Sequence, residues 1–322
     1  MRTPSDLTAS ILNRRTLLSV AALTVAMAMP GAAASQNQPA VNLRSTAHFA
    51  VLAGSKVSNI PASAIKGDVG LSPAAGSKIT GFGDTEVTGT IFTADATGPA
   101  GSVTAASDLT TAQGDLTIAY NDAAGRTPVP EGTFLNPGAG NIGGKTLVPG
   151  LYKFTGSAEI TGSDLVLTGN TTDVWIFQIA SSLNVGDGIK ITLAGGAEAD
   201  NVFWQVGTSA TLGTTCAFKG TIMADQSISL NTGATLNGRA LASIAAVTLA
   251  GNAITRPTPA PTAVFRLPSK GAMSMRTYSN RNNPLAGVGY RLPSDGGTTL
   301  RITNPLGREI SKIRTPDLLL LD

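Results

Sequence analysis

Side chains that could support catalysis are few and scattered in this sequence. His48 is the only histidine and Cys216 the only cysteine. A glycan-cleaving enzyme built on stacked strands needs carboxylates grouped with basic side chains in one groove. The carboxylates here mostly stand beside turns, where aspartate commonly binds backbone N–H groups; they are Asp164, Asp173, Asp187, Asp200 and Asp225. Their spacing also lacks the Asp-x-Asp-x-Asp-Gly pattern of a calcium loop. We therefore predict no catalytic residue, no cofactor and no metal site.

Hydroxyl side chains, in contrast, recur at a regular spacing. Ser209-Ala-Thr-Leu-Gly, Ser227-Ile-Ser-Leu-Asn and Ala246-Val-Thr-Leu-Ala follow one another at intervals of 18 and 19 residues. A period close to 20 residues is typical of stacked coils, in which each repeat contacts only its neighbours. Because side chains alternate between the two faces of a strand, the leucines point inward and the hydroxyl residues outward. The chemistry available to such an outer surface is adsorption.

The outward positions form the candidate binding surface, which is small, polar and almost uncharged. Solvated faces usually carry Lys and Glu, so a neutral set favours a binding role, although each residue taken singly is an ordinary solvated position. Other outward rows contain Lys190, Lys219 and Arg239 and are weaker candidates. The candidate residues are Ser182, Asn184, Ser209, Thr211, Ser227, Ser229, Asn231, Ala246, Thr248 and Ala250, with Thr232 and Thr235 at the adjoining corner and on the next strand.

Composition and charge agree with an all-β architecture. The 322 residues include 37 glycines, and charged residues make up 13%, against about 25% in an ordinary soluble domain. The net charge of +3 hides two regions of opposite sign, since residues 40–255 carry ten basic and fifteen acidic side chains and residues 256–322 carry ten and four. The basic residues are dispersed and no nucleic-acid motif accompanies them, so we exclude nucleic acid as a partner.

One helix is predicted among the strands. Leu109, Ala112, Leu116 and Ala119 recur at helical spacing and Gly125 follows as a stop signal, which predicts a helix over about 104–124. Such a helix would cover one apolar outer face of the coil stack. Two aromatic strands follow it, and we interpret their side chains as core or as a surface beneath the helix rather than a sugar-stacking platform; they are Trp175, Phe177, Phe203 and Trp204.

The two ends of the chain differ from the repeats. Residues 1–34 read as an export signal, because Arg14 and Arg15 precede an apolar stretch and Ala32-Ala-Ala offers a cleavage site. The apolar stretch is too short for a membrane span of about 20 residues, so we expect a secreted protein with no span in its mature form. The twin arginines leave Sec and twin-arginine export as alternatives. Residues 256–262 form a Pro/Thr linker, and residues 263–322 a basic tail.

Cys216 is expected to be buried and inert, because it alternates with Phe218 toward the interior. With one cysteine, the chain has no internal disulfide. The stacked core must therefore supply the stability.

Six blocks of residues 48–255 resemble the DUF3494 family of microbial ice-binding, or antifreeze, proteins. They occur in the family order over about 200 residues of this chain. They are Phe49-Ala-Val-Leu-Ala-Gly, Gly67-Asp-Val-Gly-Leu-Ser-Pro, Ala119-Tyr-Asn-Asp-Ala-Ala-Gly-Arg, Pro149-Gly-Leu-Tyr-Lys-Phe, Asn201-Val-Phe-Trp-Gln-Val-Gly and Leu230-Asn-Thr-Gly-Ala-Thr-Leu-Asn-Gly-Arg-Ala-Leu.

The resemblance implies a discontinuous, right-handed-type β-solenoid of triangular cross-section over residues 40–255, with one long α-helix packed alongside. It also implies secretion, no catalysis and binding to ice, with inhibition of ice growth and recrystallisation. The partner is then an ice crystal surface, and we expect a monomer. Some members carry a Thr-(Gly/Ala)-X-(Thr/Asn) motif on the ice-binding surface. Thr232-Gly-Ala-Thr and Thr168-Gly-Asn-Thr fit it, whereas Thr161-Gly-Ser-Asp and Thr211-Leu-Gly-Thr depart from it.

The tail resembles the C-terminal sorting domains of type IX secretion cargo, which are small β-sandwiches. The resemblance rests on the run that begins Asn283-Pro-Leu-Ala-Gly and on Leu306-Gly-Arg-Glu-Ile. The alternatives are a truncated sorting module and a disordered tail. Attachment through the tail would make the protein a cell-surface adhesin module that binds ice or extracellular matrix. A polysaccharide-binding or polysaccharide-degrading β-helix protein is the remaining alternative.

Overall fold

The computed structural model describes residues 38–83 and 85–257, together with the backbone of four tail strands, Ser274–Thr277, Val288–Arg291, Thr299–Thr303 and Glu309–Arg314. These four strands form two antiparallel pairs. The predicted export signal and residues 258–262 of the linker lie outside the described residues. The sorting-domain interpretation of the tail stays a prediction.

Parallel strands, numbered here in chain order, build a stack of coils with three faces. Sheet A has the spatial order β10 (Gly150–Phe154), β13 (Trp175–Ile179), β16 (Val202–Val206), β18 (Ala217–Ala224), β20 (Thr235–Ala242), β1 (Phe49–Ala53), β4 (Asp68–Leu71), β7 (Ile91–Thr93) and β8 (Val103–Thr104). Sheet B has the order β11 (Ala158–Ile160), β14 (Leu183–Val185), β17 (Ala210–Leu212), β19 (Ile228–Leu230), β21 (Ala246–Ala250), β2 (Lys56–Ile60) and β5 (Ile79–Thr80).

The third face begins with β9 (Thr146–Leu147), β12 (Leu165–Thr168) and β15 (Ile191–Ala194). A bridge between Lys190 and Ala217 continues it into the first residues of β18 and β20. It ends with β22 (Ala253–Thr255), β3 (Ala64–Lys66) and β6 (Val87–Thr88). Short 3-10 helices lie at Arg44–His48, Gly76–Lys78, Gly132–Phe134, Pro137–Gly140 and Ala199–Asn201.

The stacking order of the coils differs from their order in the chain. The last strands of the solenoid pair with the first, because β20, β21 and β22 lie beside β1, β2 and β3. The chain enters and leaves the solenoid at the corner between the third face and sheet A, where the Arg256 Nη1 donates a hydrogen bond of 3.2 Å to the Ala47 carbonyl oxygen. Three rows of strands and this break confirm the predicted discontinuous solenoid of triangular cross-section.

Two positions at the same corner require glycine. A Cβ atom on Gly238 would lie 1.8 Å from the carbonyl oxygen of Gly220, and Gly220 itself has a φ of 106°. Only glycine permits this approach between adjacent coils. Strands β18 and β20 can therefore bend there and serve both the third face and sheet A.

The interior of the solenoid is an apolar column with aromatic rings stacked along it. Ring centroids lie 4.8, 5.2, 3.9 and 5.1 Å apart along the series Phe134, Tyr152, Phe177, Trp204 and Phe218. Trp175 is also fully buried, and Phe203 is buried on the outer side of sheet A. The interpretation of these aromatic residues as core is confirmed, and a sugar-stacking platform is excluded because the rings are inaccessible.

Helix α1 (Ala106–Ala124) covers the outer side of sheet A and begins two residues later than predicted. Its apolar stripe is fully buried against Phe203, Met223 and Leu241 of the sheet; the stripe consists of Leu109, Ala112, Leu116, Ala119 and Ala123. The helix ends at Gly125, whose N–H donates to the Asn121 carbonyl oxygen. No helix within the described ranges is long and apolar enough to cross a membrane.

Candidate functional site

The outward side chains of sheet B stand in register across all seven strands. At the centre of each strand one outward residue pairs with the equivalent residue of the next strand, without a register shift. Adjacent strands are about 4.7–4.9 Å apart, so these side chains form a straight row. This middle row consists of Glu159, Asn184, Thr211, Ser229, Thr248, Ser58 and Thr80.

Two further rows flank the middle row, two residues before and two residues after it on each strand. The leading row consists of Ser157, Ser182, Ser209, Ser227, Ala246 and Lys56. The trailing row includes Asn231, Ala250 and Ile60. We call the three rows together the sheet-B face.

The structure brings together ten of the twelve residues predicted from the sequence. All ten lie at outward positions of the sheet-B face: Ser182, Asn184, Ser209, Thr211, Ser227, Ser229, Asn231, Ala246, Thr248 and Ala250. Thr232 lies in the turn after β19, and Thr235 is the first residue of β20 on the third face. These two positions are the adjoining corner and the next strand, as expected.

Hydroxyl groups on neighbouring strands hold one another within these rows. The Oγ atoms of Ser209 and Ser227 lie 2.9 Å apart. The Thr248 hydroxyl donates to the Ser229 Oγ at 3.1 Å. Because each bond joins adjacent coils, the hydroxyl positions are fixed by the register of the sheet, and the face is ordered before any ligand arrives.

The two ends of the sheet-B face carry charges that the sequence interpretation did not include. Glu159 stands at one end, where its Oε1 accepts a hydrogen bond of 2.8 Å from the Asn184 amide. Lys56 and Lys78 stand at the other end and are exposed. The description of the face as almost uncharged is therefore correct only for its middle, because the end strands come from coils outside the repeat.

Neutral outward residues at both ends were also missed by sequence reasoning, namely Ser58, Ile60 and Thr80 at one end and Ser157 at the other. A signal for two of them exists in the sequence. Lys56-Val-Ser-Asn-Ile alternates in the same way as Ala246-Val-Thr-Leu-Ala, and these two strands pair side by side. The segments are almost 200 residues apart in the chain, so a search for a short period does not align them.

A buried polar network supports the trailing edge of the face. The Asn59 side chain points inward and its amide donates to the Glu86 Oε1 at 3.0 Å and to the Gly81 carbonyl oxygen at 2.9 Å. The Glu86 carboxylate also accepts from the N–H groups of Ser63 and Gly83. Burial alone would raise the pKa of Glu86, but these hydrogen bonds outweigh it and lower the pKa below its ordinary value.

The aspartates named from the sequence have structural partners. The Asp164 Oδ1 accepts from the Lys190 N–H, the Asp187 Oδ1 from the Thr214 N–H, and the Asp173 Oδ2 from the Asn170 N–H. The Asp225 carboxylate accepts from the Gln226 side chain. Three of the five carboxylates thus bind backbone at turns, as expected.

The fifth, Asp200, forms a buried ion pair of 2.7 Å with Arg239. Arg239 lies on the outer side of β20, since it alternates with the inward Ala240, but its side chain is only 1% exposed. It sits where β20 bends past Gly238, beneath the segment that contains Asp200, and its guanidinium also donates to Ala47, Thr221 and Pro257. Lys190 and Lys219 do lie on the third face.

The remaining candidates for chemistry are separated from one another. His48 is exposed beside the first strand. Cys216 is buried as predicted, and burial together with the charge of Asp187 raises the pKa of its thiol to about 11. Across the described part of the chain, His, Cys, Asp and Glu side chains do not gather into a group that could hold a metal ion.

Comparison with known proteins identifies the solenoid. A family profile described as ice-binding-like matches residues 51–255. The chain belongs to this ice-binding family. An ice-binding protein of Flavobacterium frigoris is 50% identical over 227 residues, which cover 70% of this chain and 80% of the relative. An ice-binding protein of a Leucosporidium species is 40% identical over 237 residues, or 70% of this chain and 87% of the relative.

Solved structures of the family agree. A glycosylated ice-binding protein from an Arctic yeast has a TM-score of 0.64 at 40% identity, and covers 71% of this chain and 100% of its own. The DUF3494 domain of an ice-binding protein from Shewanella frigidimarina also has a TM-score of 0.64, at 29% identity over 70% of this chain and 100% of its own. The family assignment therefore rests on both sequence and fold.

Proposed function

We propose that this protein binds ice through the sheet-B face and thereby inhibits ice growth and recrystallisation. The observation that carries the proposal is the register of the face, because one outward residue per strand repeats across seven strands without a shift. The relatives, which are named ice-binding proteins, support the same activity.

Ice presents a neutral, periodic surface, so a binder needs repeated contacts rather than charge. Outward residues of the sheet-B face repeat about every 4.8 Å across the strands and about every 6.7 Å along them. An array of this kind orders water above the protein in a pattern that can merge with the crystal. The neutral middle of the face, from β14 to β21, supplies most of this array.

Rigidity makes weak contacts add up. Threonine is stiff about its first side-chain torsion because it is β-branched, and the hydroxyls of Ser209, Ser227, Ser229 and Thr248 are held by one another. Little conformational freedom is therefore lost on binding. Once the protein is adsorbed, ice grows only in the gaps between bound molecules, where the front curves and further growth becomes unfavourable.

Two parts of the proposal concern location and catalysis. The signal-like residues at the N-terminus support secretion, and the basic tail offers a route for attachment to a cell surface. Adhesion to ice or matrix would use the same face. A non-catalytic role is supported by Asp164, Asp173 and Asp187, since their carboxylates bind backbone N–H groups at turns.

The proposal is tested by a recrystallisation assay with the purified protein and its Thr248→Tyr variant. Wild type is expected to keep ice crystals small. A tyrosine at the centre of the middle row would hold the ice surface away from its neighbours, so the variant is expected to need at least about tenfold more protein, a loss of about 1.4 kcal/mol.

Thr192→Tyr is the matched control, because Thr192 is an exposed outward residue on β15 of the third face. It is expected to behave as wild type, and circular dichroism checks that both variants are folded. Equal activity of Thr248→Tyr and wild type would show that another surface binds ice. If ice crystals grow in the presence of folded wild-type protein as they do in buffer, the proposed function itself is refuted.

A further inference from the structure

Ile60 stands out among the apolar residues of the solenoid by its exposure and its place. Its side chain is 67% exposed, the highest value among the exposed large apolar side chains of the described residues. A single exposed isoleucine needs no explanation by itself. This one lies on the trailing row of the sheet-B face, directly beside Ala250.

The strand on one side of Ile60 presents the least polar outward residues of the sheet-B face, whereas Ser58 and Lys56 face outward on the strand of Ile60 itself. Strand β21 next to it presents Ala246, Thr248 and Ala250 outward, so two of its three outward side chains are methyl groups and the third carries one. Ile60 extends this apolar strip across the break in coil order, where the last coil of the solenoid meets the first.

The backbone that carries Ile60 is held on both sides. The Ile60 carbonyl oxygen accepts a hydrogen bond of 2.9 Å from the Gly251 N–H of the adjacent coil. The preceding residue, Asn59, is anchored inward on Glu86 and Gly81. Isoleucine is also β-branched and stiff about its first torsion. Its methyl groups are therefore presented at a fixed position, like the hydroxyls of the middle row.

We propose that Ile60 is an ice-contacting residue and that the strip it forms with Ala250, Thr248 and Ala246 anchors the face on the crystal. The proposal rests on the proposed function of the sheet-B face. Water in an ice-like arrangement packs around fixed methyl groups without losing hydrogen bonds, and apolar surface leaves bulk water when the face adsorbs. A lysine at the same position would bring a hydrated charge that the neutral crystal cannot replace.

The test compares four variants of the purified protein, Ile60→Lys, Ile60→Ala, Ile118→Lys and Thr248→Tyr, in the recrystallisation assay and in capture onto an ice surface. Ile60→Lys places a charged side chain in the apolar strip. Ile118→Lys is the matched control, since Ile118 is 48% exposed on helix α1, which covers the other sheet. Thr248→Tyr reports on the face as a whole. Thermal unfolding followed by circular dichroism verifies that each variant is folded.

We expect Ile60→Lys to raise the lowest effective concentration at least about fivefold, while Ile118→Lys stays within about twofold of wild type. Ile60→Ala, which keeps the site neutral, is expected to fall between Ile60→Lys and wild type. If Ile60→Lys matches Ile118→Lys while Thr248→Tyr has lost activity, the face is correct and the role of Ile60 is refuted. If neither Ile60→Lys nor Thr248→Tyr has an effect, the proposed face is refuted as well.

Discussion

Sheet A and sheet B enclose the same interior, but the residues on their outer sides differ in chemical character. The outer side of sheet A carries large apolar residues such as Phe203, Met223 and Leu241, all buried beneath helix α1. The outer side of sheet B carries Ser, Thr, Asn and Ala, which remain partly exposed, and the described helix does not lie on it. The fold thus supports one face that is covered for stability and one that is left bare.

The difference shows that in a solenoid the inward residues and the outward residues can serve different purposes. Inward residues fix the coils, and sheet B keeps its register although its outer rows bury little apolar surface. Outward residues on a bare face are then free to serve binding. This separation predicts that substitutions on the outer side of sheet A affect stability without affecting ice binding, and that substitutions of outward residues on sheet B affect ice binding with little effect on stability.

The largest stability effect is expected on the covered side. Leu116→Ala removes a fully buried side chain from the interface between α1 and sheet A, and such a truncation costs about 2–5 kcal/mol. Denaturant unfolding measures the loss. Ice capture by the folded variant at low temperature should equal that of wild type.

Thr117→Ala on the exposed side of the same helix is the control and should change the free energy of unfolding by less than about 0.5 kcal/mol. A Leu116→Ala variant that keeps full stability but loses ice capture would invert the assignment of the two faces.

An intermediate effect is expected at the trailing edge of sheet B. Glu86→Gln replaces one carboxylate oxygen by an amide group, although Oε1 accepts from the N–H of Ser63 and Oε2 from the N–H of Gly83. One of these two donors therefore loses its acceptor, at a cost of about 1–3 kcal/mol at neutral pH. Because the pKa of Glu86 is lowered in the folded protein, its contribution is present above the ordinary value of about 4.3 and is lost as the pH falls through the lowered value.

Thermal unfolding at a series of pH values checks this. The difference between wild type and Glu86→Gln should shrink as the pH falls below about 4.3. A difference that stays constant from neutral pH to pH 3 would mean that the ionised carboxylate is not what holds this edge.

The smallest effect is expected for a single hydroxyl of the bare face. Ser227→Ala removes the hydrogen bond between Ser227 and Ser209 and one hydroxyl of the array, so activity should fall about two- to fivefold, or about 0.5–1 kcal/mol. The same bond contributes about 0.5–1.5 kcal/mol to folding, so the melting temperature should fall by a few degrees at most, about 2–4 °C per kcal/mol. Thr192→Ala on the third face provides the comparison, and an equal loss of activity there would mean that the effect is not specific to the sheet-B face.

Much of this arrangement is predictable from the sequence because it is local. The alternation in Ser227-Ile-Ser-Leu-Asn determines which residues face out, and the spacing of Leu109, Ala112 and Leu116 determines the buried side of α1. The alternation with Phe218 likewise identifies the burial of Cys216.

The rest depends on contacts between distant parts of the chain. The alternation of Lys56-Val-Ser-Asn-Ile resembles that of the repeat, but a search for a short period does not show that β2 lies beside β21, so Ser58, Ile60 and the charge of Lys56 were not assigned to the face. The burial of Arg239 was missed for a related reason, since its cover comes from Asp200 and from residues near Ala47 and Pro257. Charge alone suggested solvent, and only the tertiary structure supplies the partners.

The contact between Ala47 and Arg256 has a consequence for how this solenoid can be rearranged. The first and last coils are neighbours in space. The coils could therefore be connected in another order along the chain while their packing stays the same. A peptide joining these two residues would close the chain into a ring, and the ring could be reopened at another turn without moving a strand. Because the solenoid has three faces, the corner between the third face and sheet A lies opposite sheet B. The joining peptide would therefore leave the sheet-B face unchanged.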